Sequence, residues 1–360
     1  SGETTYYDYS GNNLTQVRSV TSDGKTTTRV RYTYDTSNRL STVQVDLSPE
    51  DNVVSDAKVY TTTYTYDGTS KRIASVTQSD GTSLNFTYVQ AGGQYRVATV
   101  RDALNQTTTF AYDLATRTTT ATDPLGLKTT YVYDAAGQLT RVSSPSVKGV
   151  VLTTSYVYNA NGDVIQVTDA EGKSVSMEYD ASGNQVLQRD AVGNTVRRTF
   201  SSSNRLLTET TYTVADPDGA GSGVPQGPTT ARYVYDTANP NLLRFSISAE
   251  GRVTEYRYNA YGERTVALQF AQKSLYSVAA LAVSETPTLA AMTTWSGQQD
   301  LTTLSRIDYQ YDARGQLTES AAAQKTTSTG VADTAALIVR QTYVYSQTGQ
   351  LLSTIQQTSS

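Results

Sequence analysis

An all-β fold is predicted by three observations: aromatic pairs that recur in phase, turn residues at fixed offsets from them, and an excess of Tyr and Thr. There are 27 Tyr against 5 Phe and 1 Trp. Tyr and Thr both favour pleated, half-buried strands.

The aromatic pairs come first. Eight Tyr-x-Tyr pairs occur, at Tyr32/Tyr34, Tyr64/Tyr66, Tyr131/Tyr133, Tyr156/Tyr158, Tyr233/Tyr235, Tyr256/Tyr258, Tyr309/Tyr311 and Tyr343/Tyr345. Phe86/Tyr88, Phe110/Tyr112 and Met177/Tyr179 are degenerate copies, and Tyr7 and Phe200 keep the second aromatic alone. That makes 13 units, and seven of the twelve intervals between second aromatics span 21 to 25 residues. A regular period of this size is the mark of a repeat architecture.

The turns come next. Asp or Asn follows the second aromatic in ten units, and Gly or Asn stands four positions after it in eleven, for example Asp134 with Gly137. Ser70 and Thr116 are the exceptions. Asp bonds the backbone two residues on, and Gly or Asn accepts positive φ, so each unit encodes a type I turn with a bulge. A second turn signal alternates with the first: Asp102–Asn105, Asp123–Gly126, Asp169–Gly172, Asp190–Gly193 and Ser248–Gly251. Two stretches of about seven residues between two tight turns are two antiparallel strands, and Tyr at i and i+2 share one face.

The chain reads as one continuous repeat segment, 1–360, with insertions. A polar loop is expected around 48–56 and a Gly/Pro-rich loop at 214–228. A helical insertion is expected near 267–306, where Thr286-Pro287 reads as an N-cap with Pro at the first helical position. A further excursion, Ala321–Val339, is expected to carry a short helix. The start at Ser1-Gly2-Glu3 falls mid-pattern, so a piece of a larger protein is expected.

Composition removes several functions. The 360 residues carry a net charge of −4 and no Cys or His. That excludes a Ser-His-Asp triad, a Cys nucleophile and zinc held by thiolate or imidazole. A mildly acidic chain with no basic run is a poor nucleic-acid binder. No apolar stretch nears the roughly 20 residues of a membrane-spanning helix, so no membrane insertion is expected. Only 17% of residues are charged, which suits a sheet with one half-buried face.

The stretch Asp123–Thr140, which includes Tyr131, Tyr133, Asp134 and Gly137, resembles the YD repeat of bacterial Rhs proteins. Similar repeats occur in the BC components of Tc insecticidal toxins and in teneurins. The resemblance extends from Tyr7 to about Leu352. It implies a curved antiparallel sheet of about 13 hairpins, an open arc or partial spiral of a hollow β-shell. In Rhs proteins and Tc toxins such a shell encloses a C-terminal toxin segment; in teneurins it belongs to an adhesion ectodomain. The string Asp123-Pro-Leu-Gly-Leu127 resembles the Rhs core closure but sits within a repeat, so it reads as a turn. Neither the self-cleaving aspartyl machinery nor a toxin is expected here.

Each candidate for chemistry has a structural counterpart. The Tyr-x-Tyr stripe is suited to stacking sugars or cargo, but also to cross-strand ladders within a wall. The turn aspartates offer carboxylates for glycoside hydrolysis, yet they recur, whereas catalysis needs a unique pair. Asp216, Asp218, Gly219 and Gly221 superficially resemble a calcium loop without its full ligand series, and Gly219–Gly227 lacks a strand-to-helix phosphate pattern. Trp295 is expected to anchor a small cluster. No catalytic, cofactor-binding or metal residues are assigned, and no cofactor.

The leading expectation is a non-enzymatic structural segment of a secreted or cell-surface shell protein that encloses a polypeptide toxin. Its partners would be adjoining repeats and that cargo. The alternative is a carbohydrate-binding or adhesion module of a large wall-associated protein, with a glycan partner.

Overall fold

The computed structural model describes residues 4–49, 56, 58–146, 148–216, 224–271, 273–346 and 349–359. Strands account for 54% of the chain and form one antiparallel sheet of 26 strands that does not close on itself. They run from Thr4–Ser10 to Leu351–Ser359 in sequence order, each described pair joining neighbours in the chain. Two compact units are distinguished. The first comprises 1–153, 311–318 and 343–354; the second comprises 154–310, 319–342 and 355–360.

The expected turns form. In the unit around Tyr34, Asp35 N–H donates to Arg39 O at 2.8 Å and Asn38 N–H to Asp35 O at 2.9 Å. Asn38 sits at φ 61. Asp35 Oδ1 accepts from the backbone N–H of Ser37 and of Arg39, both at 2.9 Å. Asn159 does the same through its amide oxygen for Asn161 and Asp163, which explains why Asp and Asn interchange here. The alternate turns also close, as at Asp123–Gly126 and Asp190–Gly193.

Nine hairpins carry a bulge at the second aromatic. Thr33 pairs with Thr42 but Tyr34 pairs with Leu40, so Ser41 is left over on the return strand. The same slip occurs at Tyr66, Tyr88, Tyr133, Tyr158, Tyr179, Phe200, Tyr235 and Tyr258. A bulge disrupts the ladder locally and leaves a backbone group in need of a partner. The next repeat supplies one. Tyr66 donates its hydroxyl to Leu40 O at 2.7 Å, Tyr88 to Ile73 O at 2.6 Å, and Tyr179 to Val164 O at 2.8 Å. Tyr34, Tyr112 and Tyr258 do likewise to Leu14, Val97 and Leu243. In five of these six the acceptor is the residue opposite the preceding second aromatic; for Tyr34 it is Leu14, opposite Tyr9.

A guanidinium completes the clasp in several repeats. Arg39, Arg72 and Arg96 immediately precede the acceptors Leu40, Ile73 and Val97. They lie 4.3, 5.5 and 5.4 Å from the rings of Tyr66, Tyr88 and Tyr112. Arg39 also donates to Gly68 O and Ser70 O of the next turn. In these repeats the aromatic face is held by guanidinium on ring and hydroxyl on carbonyl.

The two faces of the sheet differ. The paired aromatics are half-buried, whereas the residues between them, such as Thr33, Thr65 and Thr87, are exposed. On that second face Thr33 and Thr42 share a hydroxyl bond of 2.6 Å, and Thr87 and Thr99 one of 2.7 Å. These cross-strand pairs stabilise a wetted face without apolar burial.

In the second unit this face is covered by the insertion. Helix Leu289–Gly297 and the 3-10 turn Leu301–Thr303 form within 267–306. The N-cap is Thr288, accepting from Ala291 N–H at 3.1 Å, rather than Thr286. Pro287 therefore precedes the cap instead of opening the helix. Val234, Phe245, Ile247, Val253 and Leu268 of the sheet pack with Phe270, Met292 and Leu304. Trp295 meets Phe270 and Tyr276 edge-on at 5.0 and 5.9 Å, so it anchors the cluster as expected. Arg232 is buried and donates to Glu285 O, Ala282 O and Thr230 O. Burial pushes its guanidinium below the ordinary value, an effect opposed by Glu285. Gly251 cannot be replaced: its φ is +87 and a Cβ would lie 2.2 Å from Tyr276 O.

Four details depart from the sequence reading. Ala321–Val339 carries no helix; the strand Leu317–Ala323 runs into turns and Ile338–Tyr345 follows. Beyond Tyr88 the strands continue to a two-residue turn at Gly92 and Gly93, both with positive φ. Asn239 keeps negative φ because its turn lengthens to Asp236–Leu242. Thr116 yields the left-handed position to Arg117, at φ 52.

Three outcomes follow. Tyr66→Phe should cost about 0.5–1.5 kcal/mol in urea unfolding, and a double-mutant cycle with Arg39→Ala should give a coupling energy, since both act on one clasp. The turn carboxylates of Asp35 and Asp180 are held below their ordinary range. For Asp35 the Arg39 backbone N–H is the main cause, and for Asp180 the Asn184 amide. Their stabilisation is present above the unfolded value of about 4 and is lost as pH falls through the folded value. Melting at pH 7 and pH 3 should therefore differ less for Asp180→Asn than for the parent chain. Phe245→Ala should cost about 3–5 kcal/mol, read as a lowered denaturation midpoint of the second unit.

Candidate functional site

The aromatic face opens at one place into a groove of 650 Å³. Its floor is Phe110, Tyr112, Tyr131 and Tyr133, with Arg96, Arg117, Asp113 and Asp134 around it. The local cause is the hairpin Thr107–Asp113 with Thr118–Thr122. Tyr112 pairs with Thr119 and Asp113 with Thr118, with no slip of register. Without an extra residue, this hairpin frees no bulge carbonyl for Tyr133. Tyr133 instead donates its backbone N–H to Arg117 O at 3.0 Å. The clasp is interrupted, and the space between successive aromatic pairs stays open.

The groove is amphipathic. Burial pushes the Tyr112 hydroxyl up, against the pull of the nearby Arg96 charge. Asp113 is held low by the Thr116 hydroxyl and backbone N–H, so it remains an anion at the rim. Flat rings with guanidinium and carboxylate groups at the edge suit a ligand that stacks and accepts hydrogen bonds.

The other candidates are placed as follows. The turn aspartates are spread along the ribbon, one to a hairpin, and their oxygens are taken by backbone N–H groups, as at Asp134, Asp180 and Asp312. Asp180 is held below its ordinary range, whereas a glycosidase acid needs a carboxyl raised by its surroundings. Asp216 is buried, donates its N–H to Gly193 O and lies 3.9 Å from Arg189. Asp218, Gly219 and Gly221 lie outside the described residues. Among the described residues no group of three or more His, Cys, Asp or Glu is placed to hold a metal ion. The insertion and Trp295 belong to the core of the second unit.

The arginines of the clasp escaped the sequence reading. Their signal is the placement of Arg39, Arg72 and Arg96 just after a turn and just before an apolar residue. Buried Arg232 gave no signal, because its partners are backbone carbonyls of the insertion.

Comparison with known proteins agrees with this geometry. The RHS Repeat family matches residues 96–128, 116–146 and 158–195, and the first two stretches contain the groove. No curated protein sequence matches the chain. Among solved structures, TcdB2-TccC3 without its hypervariable C-terminal region is similar at a TM-score of 0.52 and 13% identity. The match covers 97% of this chain and 20% of that one. TcdB2-TccC3-TEV gives 0.51 at 13% identity, over 98% of this chain and 20% of that one. TcdB2-TccC3 gives 0.51 at 13% identity, over 95% and 20%. This chain therefore spans about a fifth of the length of those structures, and at such identity the likeness is one of fold. The family match identifies RHS repeats at residues 96–146 and 158–195, and over nearly the whole chain the likeness is one of sheet architecture.

Proposed function

We propose that this chain is a non-enzymatic stretch of shell wall whose parent protein, secreted or displayed on a bacterial surface, encloses a polypeptide cargo. One observation carries the reading: hairpin after hairpin is fastened to its predecessor by a side chain that the repeat itself supplies. Such a sheet extends without limit and presents one continuous aromatic face. The fold match to TcdB2-TccC3 over nearly the whole chain supports a wall role. The carboxylates are used up in turns, which favours scaffolding over turnover. The partners would be adjoining repeats and the enclosed toxin.

A second reading is favoured by the groove at Tyr112 and Tyr133. There the aromatic face is open to a ring-shaped ligand, and a glycan would stack on it in an adhesion module.

Protease protection tests the first reading. In the full-length parent, the polypeptide outside the repeats should resist cleavage until the repeats themselves unfold. Cleavage of that polypeptide at the rate of a free peptide, with the repeats intact, would overturn encapsulation. Calorimetry against a broad glycan panel tests the second: binding that Tyr133→Ala removes would move the assignment to adhesion. Turnover of a glycoside or peptide that Asp134→Ala abolishes would overturn the non-enzymatic role.

A further inference from the structure

The groove at Tyr112 and Tyr133 holds more hydrogen-bond donors than the fold uses. In the clasps before it, each arginine is neutralised by the carboxylate of its own turn. Arg39 lies 2.8 Å from Asp35, and Arg72 lies 2.7 Å from Asp67. Arg96 has no such partner. The turn before it is Gly92-Gly93, flanked by Ala91 and Gln94, and brings no carboxylate.

Arg117 is the second cation. It takes the left-handed position of the next turn, at φ 52. The Asp113 carboxyl of that turn is held instead by the N–H groups of Ala115 and Thr116, at 3.0 and 3.2 Å. Arg96 and Arg117 are exposed and both line the groove. Among the described residues neither guanidinium has an ion pair or donates a hydrogen bond.

Tyr133 is the third donor. With no register slip in the preceding hairpin, its hydroxyl meets no bulge carbonyl and has no partner among the described residues. The acceptors, by contrast, are already engaged: Asp113 as above, and Asp134 with the N–H of Gln138 at 2.8 Å. One strand, Thr118–Thr122, separates the strands of Tyr112 and Tyr133, so the two rings stand about 9–10 Å apart along the sheet. That span is longer than one sugar ring, and a groove of 650 Å³ admits more than one.

We infer that the groove takes an acidic glycan, its rings stacked on Tyr112 and Tyr133 and its carboxylates paired with Arg96 and Arg117. The inference rests on the second reading above, that a glycan stacks here, and adds the charge of that glycan. A carboxylate on a guanidinium makes two parallel charge-assisted bonds, and a planar fork loses little freedom in making them. The formal charges of Arg96, Arg117, Asp113 and Asp134 cancel, so no long-range field gathers polyanions at large. Recognition is short-range and needs ring and carboxylate together.

Calorimetry at about 0.15 M salt tests this, with fragments of polygalacturonate and of hyaluronate, each beside its carboxyl-methylated counterpart. The acid forms should bind at least about tenfold more tightly than the methyl esters. Arg96→Gln/Arg117→Asn should bring acid and ester within about twofold of each other. Asn accepts the left-handed position of Arg117 and both sites are exposed, so circular dichroism should be unchanged. Arg101 and Arg141 stand on the opposite face, across from Asn85 and Val132. Arg101→Gln/Arg141→Gln removes the same charge there and should leave the preference for acid intact. Equal affinity for acid and ester would overturn the acidic ligand and leave the stacked glycan standing. Loss of the preference in Arg101→Gln/Arg141→Gln, or displacement of the acid fragments by a lower concentration of polyglutamate, would also overturn it. No binding of either form would remove the glycan reading with it.

Discussion

The hydroxyl-to-carbonyl bond between one repeat's second tyrosine and the previous repeat's bulge is what the rest of the architecture depends on. The turn after a second aromatic is accompanied in nine hairpins by one extra residue on the return strand, whereas the alternate Asp-x-x-Gly turns keep their register. The extra residue breaks the ladder, and an unpaired carbonyl in a half-buried place is costly. The tyrosine on the adjoining strand of the next hairpin reaches it. Turn, bulge and tyrosine are thus one device: each makes sense of the other two, and their fixed spacing in the sequence follows. The guanidinium next to the acceptor strengthens the device by stacking on the same ring.

Most of this was legible from residue types and spacing. The positions of the turns, the count of hairpins and the separation of aromatic from threonine faces follow from Asp, Gly and Tyr offsets alone. The clasp partner was not legible, since a backbone carbonyl has no letter in a sequence. The aromatic pairs were therefore read as cross-strand ladders. The helix cap was misplaced by two residues because Thr286-Pro287 and Thr288 both satisfy local rules, and only the packing of Met292 and Trp295 against Phe270 chooses between them. The Ala-rich stretch after Leu317 follows the same logic. Ala321 and Ala323 are good helix formers, but cross-strand pairing with Arg340 and Ile338 holds them extended.

The groove was the least legible feature, for an instructive reason. Its aromatic residues are ordinary members of the repeat. What differs is a turn, where Thr116 and Arg117 replace the usual residues and the bulge is lost. A departure in the punctuation of the chain opens space that no unusual side chain announces. In a repeat protein, unique sites arise this way, from an exception in backbone geometry among uniform side chains.

Because every clasp reaches only to the hairpin before it, the ribbon can change length in whole units. Adding or removing a complete hairpin leaves each remaining tyrosine facing its carbonyl, whereas gaining or losing a single residue inside a strand turns the aromatic face over. Such a molecule can be lengthened by tandem duplication without redesign, so the length of its sheet is open to change by simple genetic slippage while its local chemistry stays the same.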